Sequence, residues 1–212
     1  MKHKGINQLF SVAIAGEDFV MAAADTRISN GYSILSRKQS KTTQLTSKVV
    51  ITSAGMVADV ETLHKNLLFD IKQYKMANKG REPSVEALAS KLSNFLYGRR
   101  FMPYYAFNLL CGLDKDGKGA VFGYDAVGSY DKLTYGVQGS GNSLGAPILD
   151  NQFVGHNFMV KVLPKDLKET ENTAKDIINS IAERDIYTGD GVEIVTVTKE
   201  GVTVKREAVR RD

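Results

Sequence analysis

Few side chains of this 212-residue sequence stand at spacings that chemistry can use. His3, His64 and His156 are too far apart to ligate one metal by local spacing, and a single cysteine, Cys111, supplies no thiolate set to join them. Asp114-Lys115-Asp116-Gly117 starts like a calcium loop, but its glycine comes at the fourth position instead of the sixth and the twelfth is Asp125, so a hairpin turn is the better reading. Gly139-Ser140-Gly141 lacks the third glycine and the strand-turn-helix setting of a dinucleotide site. A triad of Ser140, His156 and Asp185 can be written down, yet nothing puts Ser140 on a nucleophile elbow. No metal and no cofactor is expected.

The elements that would position such residues follow from periodicity. Residues 10–15 and 19–24 are β-prone runs joined by Gly16-Glu17-Asp18, and residues 48–52 form a further strand. Val60, Leu63, Leu67, Ile71 and Tyr74 recur at helical spacing over residues 57–76, and a second helix after Pro83, capped by Ser84, buries Leu88, Leu92, Phe95 and Leu96. Strands return over residues 104–113, 119–125 and 132–137. A helix follows over 144–153, and another begins after Pro164 with Asp166 and Glu169 spaced as a capping box. Residues 192–198 and 202–208 close as a hairpin. Hairpins alternating with helix pairs predict an α+β architecture: two stacked antiparallel sheets between two helix layers.

The totals fit one domain spanning 1–212: 42% of residues are hydrophobic, with no repeat or linker to mark a second unit. No apolar run approaches the roughly 18 residues of a membrane span, and the basic start, Met1 to Gly5, leads into no signal-peptide core, so no membrane partner is expected. The lone Cys111 in an apolar run predicts a buried thiol and a reducing compartment. The net charge of +4 is spread along the chain, apart from Lys205-Arg206 and Arg210-Arg211, which argues against nucleic acid as a partner.

Four short signatures stand out in order: Ala23-Ala24-Asp25-Thr26-Arg27, Lys41, Gly139-Ser140-Gly141, and Glu183-Arg184-Asp185-Ile186-Tyr187-Thr188-Gly189-Asp190. Together they resemble the proteasome β-subunit family of N-terminal nucleophile hydrolases over nearly the whole chain. Ala13 to Phe19, Gly98-Arg99-Arg100-Phe101-Met102-Pro103-Tyr104-Tyr105 and Val127-Gly128-Ser129-Tyr130 narrow the resemblance to a β class without peptidase activity of its own. The resemblance implies the four-layer αββα sandwich. It also implies the chemistry: active members expose an N-terminal threonine whose hydroxyl attacks the peptide carbonyl while its α-amine acts as base. On matching motifs Asp25, Lys41, Ser140, Asp185 and Thr188 fall on the family's charged and hydroxyl positions. Leu9 falls on the nucleophile and Gln8 on the cleavage-site glycine, leaving residues 1–8 as a short extension. An alkyl side chain has no lone pair with which to attack, so the resemblance implies a non-catalytic subunit.

The same resemblance implies the partners: β subunits of the same and the opposite ring, α-ring subunits, and polypeptide substrates in the enclosed chamber, in cytoplasm and nucleus. Tyr104, Tyr105, Tyr124 and Tyr130 are candidates for interface aromatics. The turn at Tyr124 and Asp125 is a candidate wall for a neighbour's substrate pocket, and Asp25 with Lys41 for a partly buried structural ion pair. The rival readings are an active threonine-type hydrolase and a free-standing basic binding module.

Overall fold

The computed structural model describes residues 10–153 and 163–209. In chain order the elements are β1 (Phe10–Ala15), β2 (Val20–Asp25), β3 (Ile28–Asn30), β4 (Ser33–Ser36), β5 (Thr42–Gln44), β6 (Val49–Gly55), α1 (Val57–Ala77), α2 (Val85–Tyr97), β7 (Ala106–Leu113), β8 (Gly119–Tyr124), β9 (Tyr130–Leu133), β10 (Tyr135–Gly139), α3 (Asn142–Gln152), α4 (Leu167–Ala182), β11 (Gly191–Thr198) and β12 (Gly201–Ala208). Two five-stranded antiparallel sheets result, in the orders β10-β1-β2-β11-β12 and β5-β6-β7-β8-β9, with β3-β4 as a separate hairpin.

Side-chain alternation along each strand sorts the apolar residues into three layers. Phe10, Val12 and Ile14 of β1 and Met21 and Ala23 of β2 meet Leu149 of α3 and Ala174, Ile177, Ile178 and Ile181 of α4. Val49 and Ile51 of β6, Leu110 of β7 and Phe122 of β8 meet Val60, Leu63 and Leu67 of α1 and Leu88, Leu92 and Leu96 of α2. The opposite faces, Ala13, Ala15, Val20 and Ala22 against Val50, Leu109, Cys111 and Val121, pack sheet on sheet. The order is helix, sheet, sheet, helix. Every residue of β1 and β2 is buried because both of their faces are covered.

The two expected caps form: Ser84 Oγ accepts from Ala87 N at 3.2 Å, and Asp166 accepts from the N–H groups of Lys168 and Glu169. Cys111 lies between the sheets, where burial pushes its thiol well above the ordinary range and leaves it inert. Asp114 Oδ1 accepts from Asp116 N and Lys118 N, which closes a hairpin turn in place of a cation loop.

Two local expectations are corrected, and one stretch left without an expectation gains strands. The single strand expected over 132–137 is two, β9 and β10, which split between the two sheets. The polar stretch 26–44, which lacks an apolar alternation, holds β3, β4 and β5. The third helix starts at Asn142, earlier than expected, because the glycines before it supply the tight entry.

The sheets approach closely where the β1–β2 turn meets β8. Gly119 N donates to Gly16 O at 3.1 Å, and a methyl group on Gly119 would lie 2.1 Å from Phe19 O. Gly119→Ala is therefore expected to destabilise the chain by about 1–3 kcal/mol through backbone displacement, a loss read from its urea midpoint.

Candidate functional site

β2 ends at Asp25, whose carboxylate is wholly buried at the lip of the first sheet. Its Oδ1 accepts from Phe10 N at 3.2 Å and from Lys41 Nζ, and its Oδ2 accepts from Arg27 N and Gly189 N, both at 3.2 Å. One side chain thus joins the start of β1, the exit of β2, the segment before β5 and the turn before β11. Lys41 is equally buried, and its own carbonyl accepts from Ser53 N of β6, so the pair also ties the first sheet to the second. Burial pushes the Asp25 carboxyl up and the Lys41 ammonium down, and the charge each presents to the other opposes both shifts.

A second cluster adjoins the first. Ser140, which follows the left-handed Gly139 at the end of β10, donates its hydroxyl to Asp185 Oδ2 at 2.6 Å. Thr188 Oγ1 donates to the same oxygen at 2.7 Å, and Tyr187 N donates to Oδ1 at 3.1 Å. The next residue, Gly189, carries the N–H that reaches Asp25, and the Asp185 charge acts on Lys41. Asp25, Lys41, Ser140, Asp185 and Thr188 therefore meet at one corner, although residues 25 and 188 are far apart in sequence. Leu9, Gln8 and the 1–8 extension lie outside the described residues, as do His3 and His156; Ser140 and Asp185 of the alternative triad do touch.

Chemically, among the described residues this corner fixes charge and hydroxyl direction. Both hydroxyls spend their protons on Asp185, and a carboxylate is too weak a base to generate an alkoxide alone.

Two features were not read from the sequence. Arg27 Nε donates to Asp190 Oδ2 at 2.7 Å and Arg37 pairs with Asp190 Oδ1, which holds Asp190 in a left-handed conformation with its carboxyl below the usual range. Beside Lys41 a cleft of about 280 Å³, lined by residues 39–43 and by Val57, Glu61 and His64, has a polar relay as its floor. Ser53 Oγ donates to Asn108 Oδ1 at 2.6 Å, so it accepts from His64 Nε2, and His64 Nδ1 accepts from Thr43 Oγ1, both at 2.8 Å. This relay fixes the neutral Nε2–H tautomer. The signal was available: His64 sits on the same apolar stripe as Val60, Leu67 and Ile71.

The turn proposed as a neighbour's wall is placed differently for its two residues. Tyr124 is buried and donates its hydroxyl to Ala89 O of α2 at 2.8 Å, which removes it from any outer wall. Asp125 is exposed, but its Oδ1 accepts from Val127 N and Ser129 N and shapes the turn. Of the other tyrosines, Tyr104 is buried, while Tyr105 and Tyr130 reach the surface.

A four-layer αββα sandwich with a buried aspartate-lysine pair at the head of β1 defines the N-terminal nucleophile hydrolase class. Within that class the chain belongs to the proteasome subunit family, whose pattern, described as "Proteasome subunit", matches residues 10–197. Among its relatives are "Proteasome subunit beta type-1" of Oryza sativa subsp. japonica, 46% identical over 95% of this chain and 93% of that protein, and its Arabidopsis thaliana namesake, 47% identical over 95% and 92%. "Proteasome subunit beta type-6" of Saccharomyces cerevisiae is 38% identical over 95% of this chain and 87% of its own.

Two outcomes follow. Lys41→Met leaves a buried carboxylate without its cation and is expected to cost about 3–5 kcal/mol in urea unfolding. The His64 pKa is lowered by burial from 6.5 to about 4, so between these values the unfolded chain takes up a proton that the folded chain refuses. Stability should therefore fall on acidification through that window, by about 3 kcal/mol in all. His64→Gln should remove that part of the pH dependence, measured as urea midpoints from pH 7 to pH 4.

Proposed function

We propose that this chain is a non-catalytic β subunit of the 20S proteasome core particle, a wall of the ring that encloses the proteolytic chamber. The family and the names of its relatives support the assembly. One sequence observation supports the non-catalytic part: no hydroxyl-bearing residue stands near the start of β1 to serve as a first residue. On the family's motif spacing Leu9 falls on the nucleophile position, and Ser11 is the first hydroxyl residue in the sequence. Ser11 is buried in mid-ladder between Ala24 and Gln138. A cut that freed its amine would remove Phe10, whose N–H binds Asp25 and whose ring fills the core under α3 and α4.

The retained Asp25, Lys41, Ser140, Asp185 and Thr188 are then structural, since their mutual bonds hold the β1 end, the 185–191 turn and the second sheet in register. Partners in this reading are neighbouring β subunits, an α-ring subunit and a subunit of the opposite ring, with polypeptide substrates in the chamber and residence in cytoplasm and nucleus. Any contribution of the 124–128 turn to a neighbour's substrate pocket rests on the surface residues Asp125, Ala126 and Val127.

The test is particle purification from cells carrying a tagged copy of this chain, followed by treatment with a peptide epoxyketone and intact-mass measurement. The chain is expected to co-elute with a large multi-subunit particle and to keep its mass while other subunits gain the probe. Elution near 23.3 kDa, or a probe adduct on this chain, would overturn the reading.

A further inference from the structure

At the open edge of the first sheet, residues 26, 37 and 38, the start of β11 and the end of β12 enclose a crevice of about 340 Å³. Arg37, Lys38 and Arg206 line it, and Arg27 stands behind Asp190. Two buried carboxylates answer them. Asp190 binds Arg27 and Arg37, and Glu193 accepts from Ser40 Oγ and from Arg206 Nε at 2.6 Å. Glu207 also lines the crevice, but on the α4 side of β12 Lys175 and Lys205 balance it together with Glu171. Two positive charges at the crevice are left without a counter-charge. Arg37 and Arg206 have more than half of their side-chain surface in solvent, and among the described residues the Lys38 ammonium has no partner.

The strand beside this charge is itself unpaired on one side: β12 bonds to β11 and ends the sheet among the described residues. On the face shared with Arg206 it presents Val204, which is 56% exposed. Charged residues on an edge repel apolar strands, and for the same reason they select an acidic one. Of the residues outside the description, 1–9 and 154–162 contain no Asp or Glu, and Asp212 follows Arg210 and Arg211.

We propose that an extended acidic segment of another subunit adds to the outer edge of β12. Its main chain takes up the free strand edge, an Asp or Glu lies over Arg206 and Lys38, and an apolar residue two positions away covers Val204. This rests on the assembly stated under the proposed function.

The test is made on the intact particle. Zero-length carbodiimide coupling, followed by peptide mapping, is expected to join Lys38 to an Asp or Glu of another subunit. In the native particle, amine acylation of Lys38 relative to the denatured sample should be about tenfold lower than at the exposed turn lysines Lys115 and Lys199. Lys38→Glu, which breaks no described contact, should enter the particle and abolish the cross-link, with subunit retention in high salt reduced. Coupling of Lys38 only to acids of its own chain, or acylation as fast as at Lys115 and Lys199 within an intact particle, would overturn this proposal and leave the proposed function standing. Recovery of the chain as a monomer would overturn both.

Discussion

The structure depends on one buried carboxylate. Asp25 satisfies four donors from four separated stretches of chain, and three of those donors are backbone N–H groups, of which those of Phe10 and Gly189 would otherwise be buried without a partner. An orphaned buried amide costs about 1–3 kcal/mol, so the aspartate holds the corner together through the amides as much as through Lys41. The two clusters are joined by sequence as well. Thr188 bonds Asp185 and the following Gly189 bonds Asp25, so neither cluster can shift alone. The corner is in this way a structural knot whose polar set is held by its own bonds.

The sheet-on-sheet layer imposes a second constraint. Alanines at positions 13, 15 and 22 let the sheets approach until backbone meets backbone at Gly16 and Gly119. Among the described residues such an interior leaves no room for a ligand, and the hollows lie at the ends and edges: the cleft beside Lys41 and His64, and the crevice between Arg37 and Arg206. Both are built from loop residues on a rigid double sheet.

Much of this was legible in the sequence, for identifiable reasons. Runs such as Phe19 to Ala24 are apolar at every position, which only a strand covered on both faces tolerates, and the stripe from Val60 to Ile71 has no reading but a helix. The caps at Ser84 and Asp166 announced themselves by residue type. What escaped was set by tertiary context. Residues 26–44 carry no alternation, so β3, β4 and β5 exist by virtue of the strands and turns they meet. The β9–β10 break separates two sheets at one residue, Thr134, which local pattern does not mark. Tyr124 was read as a surface residue from its place beside a turn, yet strand alternation already puts it on the buried face with Ala120 and Phe122. Glu193 inside an apolar strand was the clearest missed sign, because a carboxylate there requires a cation from elsewhere, and Arg206 supplies it.

The order of strands in the first sheet has a consequence for biosynthesis. β2 pairs on one side with β1, its immediate predecessor, but on the other with β11, from Val20↔Val197 to Asp25↔Val192. A ribosome delivers these two partners at opposite ends of its work. Until the last helix and β11 emerge, the nascent hairpin shows an unpaired β2 edge and an Asp25 that lacks its bond from Gly189 N, so closure of this sheet is a non-local step of folding. A chaperone that shields β2 during that interval would cover an apolar strand with an open edge.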